Sequence, residues 1–253
     1  MLLLHGLLGS GRFWGGAYDQ LGTGHQLVVP DLLGFGRSPH PASGYRLDDH
    51  ADAVVAMLDD LAILAPVTIA AHSFGALVAL RVAQLMPERV RGIIAFGPPL
   101  YTDDTSARDH VAGLGGLARL LAFDTPLAQR VCGWMCAHRT LAAALARTAR
   151  PDLPGAVAVD SVNHTWASYS ATVNDALLVN HGPGQLVGID VPMVLIGGDA
   201  DRVIDHGHLA RLADVHPNIG FEQWRGGHDL PIRMPHRCVG RIEAMLGALP
   251  PPE

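Results

Sequence analysis

The stretch Thr68–Leu80, TIAAHSFGALVAL, sets one serine between a short apolar β-branched run and a run of good helix formers. A strand that passes straight into a helix leaves its turn residue exposed at the strand's C-terminal end, where ligands bind in open α/β sheets. Such a turn is strained, so its close neighbours must be small. Gly75 meets this need two residues after Ser73, and Ala71 meets it two residues before, where the G-x-S-x-G nucleophile elbow has glycine. The alternative is that Ser73 merely caps the helix beginning at Gly75.

A serine hydroxyl attacks a carbonyl only when an imidazole takes its proton. That imidazole needs a carboxylate to fix its tautomer and stabilise its cation. Both residue types follow in the chain. VLIGGDADRVI places Asp199 and Asp201 just past one apolar run, and FEQWRGGHDLP places His228 just past the next. All lie at the C-terminal ends of expected strands, on one edge of the sheet. A tetrahedral intermediate also needs donors for its oxyanion. The N–H of Phe74, at the start of the elbow helix, is one candidate. The N–H of Leu7 is the other, in a turn that Gly6 lets approach the reacting carbonyl. His72 touches the elbow, but its side chain is expected to point away from Ser73.

The elements that position these residues can be read from short apolar runs closed by glycine, proline or the elbow serine. They are Leu2–Leu4, Gln26–Val29, Val67–Ala71, Val90–Phe96, Met193–Ile196 and Phe221–Trp224. Such runs read as buried strands of a parallel sheet. Helical patterns lie between them at Leu47–Leu64, Gly75–Met86, His206–Val215 and Cys238–Leu249. The alternation predicts an α/β fold of about six strands flanked by helices. From about Leu100 to Gly188 there is no convincing strand. Helical stretches stand there instead, at Arg108–Phe123, Leu127–His138, Thr140–Arg150 and Ala171–Asn180. This reads as a helical insertion between two strands.

These motifs together resemble an α/β-hydrolase fold serine hydrolase, of the capped esterase and C–C hydrolase-like branch. They are HGLLGS at 5–10, DLLGFGRS at 31–38, AHSFGA at 71–76, GGDADRVI at 197–204 and GGHDLP at 226–231. The resemblance implies Ser73 as nucleophile, His228 as base and Asp201, rather than Asp199, as acid. It implies Leu7 and Phe74 as the oxyanion hole. Asp31, Gly34 and Gly36 match a motif that shapes a turn near the site. The resemblance divides the chain into a core, 1–99 and 189–253, and a helical cap or lid, 100–188. Candidates to line the substrate pocket are Trp134, Met135, Trp166 and Tyr169 from the cap, with His5, Gly6, Leu7, Phe74 and Leu230 from the core. For each of these the alternative is ordinary packing.

Two departures stand out. The elbow has alanine at position 71. The family has one or two strands before the HG strand, whereas here Met1 begins that strand directly. Either the chain lacks these strands or its start is assigned late; if they are absent, Gln26–Val29 becomes the sheet edge, and an exposed apolar edge invites a homodimer.

Composition bounds the rest. Among 253 residues, 49% are hydrophobic, enough for a large core. The net charge of −6 comes without any block of like charge, so the sequence shows no footprint for nucleic acid or an anionic membrane. No apolar run is long enough to span a bilayer, and no signal peptide is recognisable. The three cysteines, Cys132, Cys136 and Cys238, form no disulfide framework. CGWMCAH lacks a second ligand pair for a metal, so Cys132 and Cys136 are expected on one buried helix face. The expectation is a cytoplasmic hydrolase with a small-molecule substrate, no cofactor and no metal. It cleaves a carboxylic ester of a small or medium, mostly apolar substrate. The alternatives are a C–C bond hydrolase of diketone-like ring-cleavage products and a hydrolase-fold ligand-binding protein with weak turnover.

Overall fold

The computed structural model describes residues 1–113 and 125–249. Five strands form one parallel sheet: β1 Leu2–Leu4, β2 Val67–His72, β3 Val90–Phe96, β4 Met193–Gly198 and β5 Ile219–Trp224. Their spatial order equals their chain order. Val67–His72 and Val90–Phe96 are almost wholly buried, as strands covered on both faces must be.

The two-residue period of a strand sorts its side chains between two cores. Leu2, Leu4, Ile69, Ala71, Ile93, Ala95 and Leu195 enter one. There they meet α1 (Leu47–Asp60), α2 (Phe74–Leu85) and α8 (His206–Val215). Leu3, Ala70, Ile94, Phe96 and Ile196 enter the other. They pack there on the turns Gly11–Phe13 and Gly16–Thr23, on the single helical turn α9 (Leu230–Arg233) and on α10 (Pro235–Ala248).

The expected strand Gln26–Val29 is not one of the five. It makes a single parallel bridge, Leu2 to Val28, outside β1. Val28 N–H donates to Met1 O and Leu3 N–H donates to Val28 O, both at 2.9 Å. The next rung of a parallel ladder needs the N–H of residue 30. That residue is proline, which has none, so the ladder stops after one rung.

Among the described residues, the segment between β3 and β4 is helical. It holds α3 (Asp104–Gly113), α4 (Pro126–Ala137), α5 (Arg139–Ala149), α6 (Gly155–Asp160) and α7 (Trp166–Thr172), the last extended by a π turn to Leu177. Two helix starts and one whole helix differ from the sequence reading: the helix expected from Arg108 begins at Asp104, and α6 has no counterpart there. The stretch expected from Ala171 begins at Trp166, where Thr165 caps it by accepting from Ser168 N–H. The six-residue α6 has too few residues to show a period. Positions 114–123 of the expected Arg108–Phe123 helix lie outside the described residues.

Candidate active site

The site sits where neighbouring strands send their connections to opposite faces of the sheet. The chain leaving β1 crosses the face of the second core and reaches Val28 on the outer side. The chain leaving β2 crosses the other face as α2 and reaches β3. Such a switch point opens a crevice at the C-terminal strand ends. The turn after β1 and the turn after β2 meet there.

Ser73 is that second turn. Its backbone lies at φ 51°, ψ −123°, a conformation costing roughly 1–3 kcal/mol for a residue with a Cβ. The side chain makes no capping bond to α2, so helix capping does not account for the serine. Leu8, in the turn after β1, is also at positive φ, 59°. Of the four non-glycine residues with positive φ among the described residues, two therefore stand in these two turns.

Close approach fixes the glycines. A Cβ on Gly75 would lie 2.5 Å from the His5 carbonyl oxygen. One on Gly6 would lie 2.9 Å from His72 Nδ1 and 3.0 Å from Ser73 Cβ. The turn after β1 thus rests directly on the elbow. Among the described residues, neither the Leu7 nor the Phe74 N–H donates to a protein acceptor. Phe74 opens α2, where helix amides are left free for an anion.

Three side chains from three strand ends form one hydrogen-bonded chain. Ser73 Oγ and His228 Nε2 are 2.9 Å apart, and His228 Nδ1 and Asp201 Oδ2 are 2.8 Å apart. A carboxylate only accepts, so Nδ1 carries the proton and Nε2 is left to accept from the serine. The Asp201 carboxylate is buried, and its other oxygen accepts from Val203 N–H at 2.8 Å. Asp199 stands apart: it is exposed, and its carboxylate accepts from Gly226 N–H at 2.8 Å, closing the turn before His228.

Several supporting residues escape sequence reasoning. Gly97 lies at φ 58°, and a Cβ there would stand 2.9 Å from His228 Nδ1 and 3.2 Å from Asp201 Oδ2. Its signal was a glycine closing β3 just before Pro98-Pro99. His72, by contrast, is singled out by the sequence and expected to point away from Ser73; it donates from Nε2 to the His228 carbonyl at 3.1 Å. Its ring stacks on Phe13 at 4.4 Å. Ser10 and Arg12 both donate to the buried carboxylate of Asp160 on α6, at 2.5 Å from Ser10 Oγ and 2.7 Å from Arg12 Nε. This ties the helical segment to the turn after β1. A contact across 150 positions leaves no local trace in the sequence.

The expected pocket residues divide. Tyr169 on α7 joins Tyr101 in one buried cluster, against which Trp166 of α7 and the turn residues Leu7 and Leu8 each pack. Trp134 instead faces solvent on α4 beside His138, and Met135 is half-buried. Leu230 is buried in the core beneath the sheet. His5 is wholly buried: Nδ1 donates to Gly6 O at 2.7 Å, and Nε2 accepts from Leu32 N–H at 2.8 Å. It joins the turn after β1 to the 31–38 loop. In that loop Asp31 accepts from Gly11 and Arg37 N–H groups at 2.6 and 2.7 Å. Cys132 and Cys136 lie on α4 with Sγ atoms 4.0 Å apart, beside His164. Among the described residues no three His, Cys, Asp or Glu side chains are grouped to hold a metal.

Buried histidines give the fold a pH signature. Burial depresses His5 and His72 below the ordinary imidazole value, and it depresses His50 and His164 to about 4. Unfolding frees them to bind protons near pH 6.5. Between pH 6.5 and about 4 the unfolded chain therefore holds more protons, and stability falls as pH falls. His50 and His164 each contribute on the order of 1 kcal/mol per pH unit in that window, and His5 and His72 act in the same direction. Thermal melts at pH 7 and pH 5 are expected to show a lower Tm at pH 5, with a smaller drop in His164→Phe.

The chain belongs to the alpha/beta hydrolase fold family, whose sequence model matches residues 1–230. An uncharacterized protein of Mycobacterium tuberculosis is 26% identical over all of this chain and 76% of its own length. The lipase LipV of the same organism is 33% identical over 44% of this chain and 41% of its own. The probable lysophospholipase BODYGUARD 5 of Arabidopsis thaliana is 24% identical over 94% of this chain and 59% of its own. Two solved structures share the fold: E-2-(acetamidomethylene)succinate hydrolase, at TM-score 0.75, and the Rhodococcus esterase RhEst1, at 0.74. They are 19% and 21% identical, each over 98% of this chain and 91% and 90% of their own.

Proposed function

We propose that the protein is a serine hydrolase that cleaves a carboxylic ester of a small or medium, mostly apolar substrate. The observation that carries this reading is the hydrogen-bonded chain from Ser73 through His228 to Asp201, set at a strained turn between β2 and α2. Ser73 Oγ attacks the ester carbonyl while His228 Nε2 takes its proton. Asp201 stabilises the imidazolium. The N–H groups of Leu7 and Phe74 hold the oxyanion. His228 then gives its proton to the departing alkoxide, which leaves as the alcohol, and an acyl group remains on Ser73. Water attacks that acyl group with His228 as base, releasing the acid and restoring the serine. No cofactor enters this sequence.

The segment 100–188 acts as the cap. The cluster of Tyr101 and Tyr169, against which Leu7 and Leu8 pack, sets aromatic surface beside the turn after β1, which favours an apolar acyl group.

The test is hydrolysis of p-nitrophenyl esters of increasing chain length, with a fluorophosphonate label located by mass spectrometry. Turnover with the label on Ser73 is expected. Labelling without turnover on any ester would move the reading to a C–C bond substrate. Absence of both would leave a ligand-binding protein of hydrolase fold.

A further inference from the structure

The chain is acidic overall, yet residues 125–150 hold four arginines, Arg130, Arg139, Arg147 and Arg150, and no aspartate or glutamate. They form the α4–α5 hairpin. Spread along two helices, these cations make no run of like charge in the sequence. Folding gathers them on one element.

The same hairpin carries four of the nine large apolar side chains exposed among the described residues. Leu127 is 55% exposed, Trp134 42%, Leu141 52% and Leu145 51%. Single exposed apolar residues are ordinary; a cluster marks an interaction surface. The spacing groups them on each helix, and the two helices are joined through His138 alone and lie in contact. Leu127, Arg130 and Trp134 are three and four apart, hence on one face of α4, and Leu141 and Leu145 are four apart on α5. Ala128, Cys132 and Ala142 bury the opposite faces.

Two of the cations are already engaged. Arg139 donates to the carbonyls of Val162 and His164, and Arg150 pairs with Asp152 and Asp229. Arg130 and Arg147 make no ion pair among the described residues. An amphipathic element with apolar side chains interleaved with free arginines suits the boundary between phosphate headgroups and acyl chains. A second copy of this chain suits it poorly. The same face would meet itself, cation against cation, with no carboxylate between positions 125 and 150 to offset them.

We propose that the α4–α5 hairpin rests on an anionic phospholipid surface. Leu127, Trp134, Leu141 and Leu145 enter the interface, and Arg130 and Arg147 face lipid phosphates.

The test is flotation of the full chain with phosphatidylcholine vesicles, with and without phosphatidylglycerol. Binding to the phosphatidylglycerol vesicles is expected to be about tenfold tighter or more, and to weaken in high salt. Arg130→Glu/Arg147→Glu is expected to remove the preference for anionic lipid. Leu141→Ser/Leu145→Ser is expected to abolish flotation. Circular dichroism melts and turnover of a short soluble ester should match wild type in both variants. The proposal is overturned if the wild type does not float with anionic vesicles, or if both variants float as well as it does. It is also overturned if sedimentation velocity shows a dimer that Leu141→Ser/Leu145→Ser dissociates, because the face then belongs to a second copy. Flotation does not depend on turnover, so this test and the labelling of Ser73 fail independently.

Discussion

Ser73→Ala is expected to lower kcat for p-nitrophenyl esters by about 10^5-fold while leaving the chain folded. The only hydrogen bond of the Ser73 side chain among the described residues runs to His228. The backbone bonds of the turn, Ser73 N–H to Phe96 O and Ala76 N–H to Ser73 O, do not use the side chain and survive the change. Alanine keeps the Cβ, so the strain at φ 51° stays as it is. The expected Tm is therefore within a few degrees of wild type. In the proposed mechanism the Leu7 and Phe74 N–H groups still hold the oxyanion, so residual turnover of about 10^3-fold above water is expected. Steady-state rates and a melt on the same preparation check both halves. Full esterase activity in the variant would show that Ser73 is not the nucleophile. Ser73→Gly separates the two roles of the position: activity falls as far, but the turn relaxes and Tm rises.

Asp201→Asn is expected to lower kcat by about 10^4-fold, and Asp199→Asn by less than about tenfold. The asymmetry comes from the tautomer of His228. The Asp201 carboxylate can only accept, so it keeps the proton on Nδ1 and leaves Nε2 bare for the serine. Asparagine at 201 still accepts from Val203 N–H with its carbonyl oxygen, which turns its amide group toward Nδ1. That amide donates, Nδ1 must then accept, and the proton moves to Nε2, where it blocks transfer from Ser73. Asp199 holds only the turn at Gly226 and faces solvent. Asparagine keeps an acceptor there, so the turn survives. kcat measured for the two variants on one ester decides the matter, and equal losses would undo the choice of Asp201. The two sites share the turn before His228, so the double variant is not expected to be additive.

The sequence by itself determined the parallel sheet, because buried strands must be short apolar runs and turns must be closed by residues such as glycine and proline. It placed Ser73 at a turn, since only small residues at 71 and 75 tolerate that bend. It placed Asp199, Asp201 and His228 at strand ends, since each follows an apolar run and a glycine pair. The tertiary structure decided what depends on register or on distant partners. Whether Gln26–Val29 pairs beyond Val28 turns on which rung meets Pro30. Asp199 and Asp201 are two residues apart in one turn, and only the approach of β5's end brings one of them to His228 Nδ1. Gly97, His72 and Asp160 act on groups more than a hundred positions away. Tyr169 and Trp134 are both aromatic residues on helices. Packing turns one toward Leu7 and the other toward solvent. Local chemistry writes itself into neighbouring residues. A contact between distant segments exists only once the chain has closed around it.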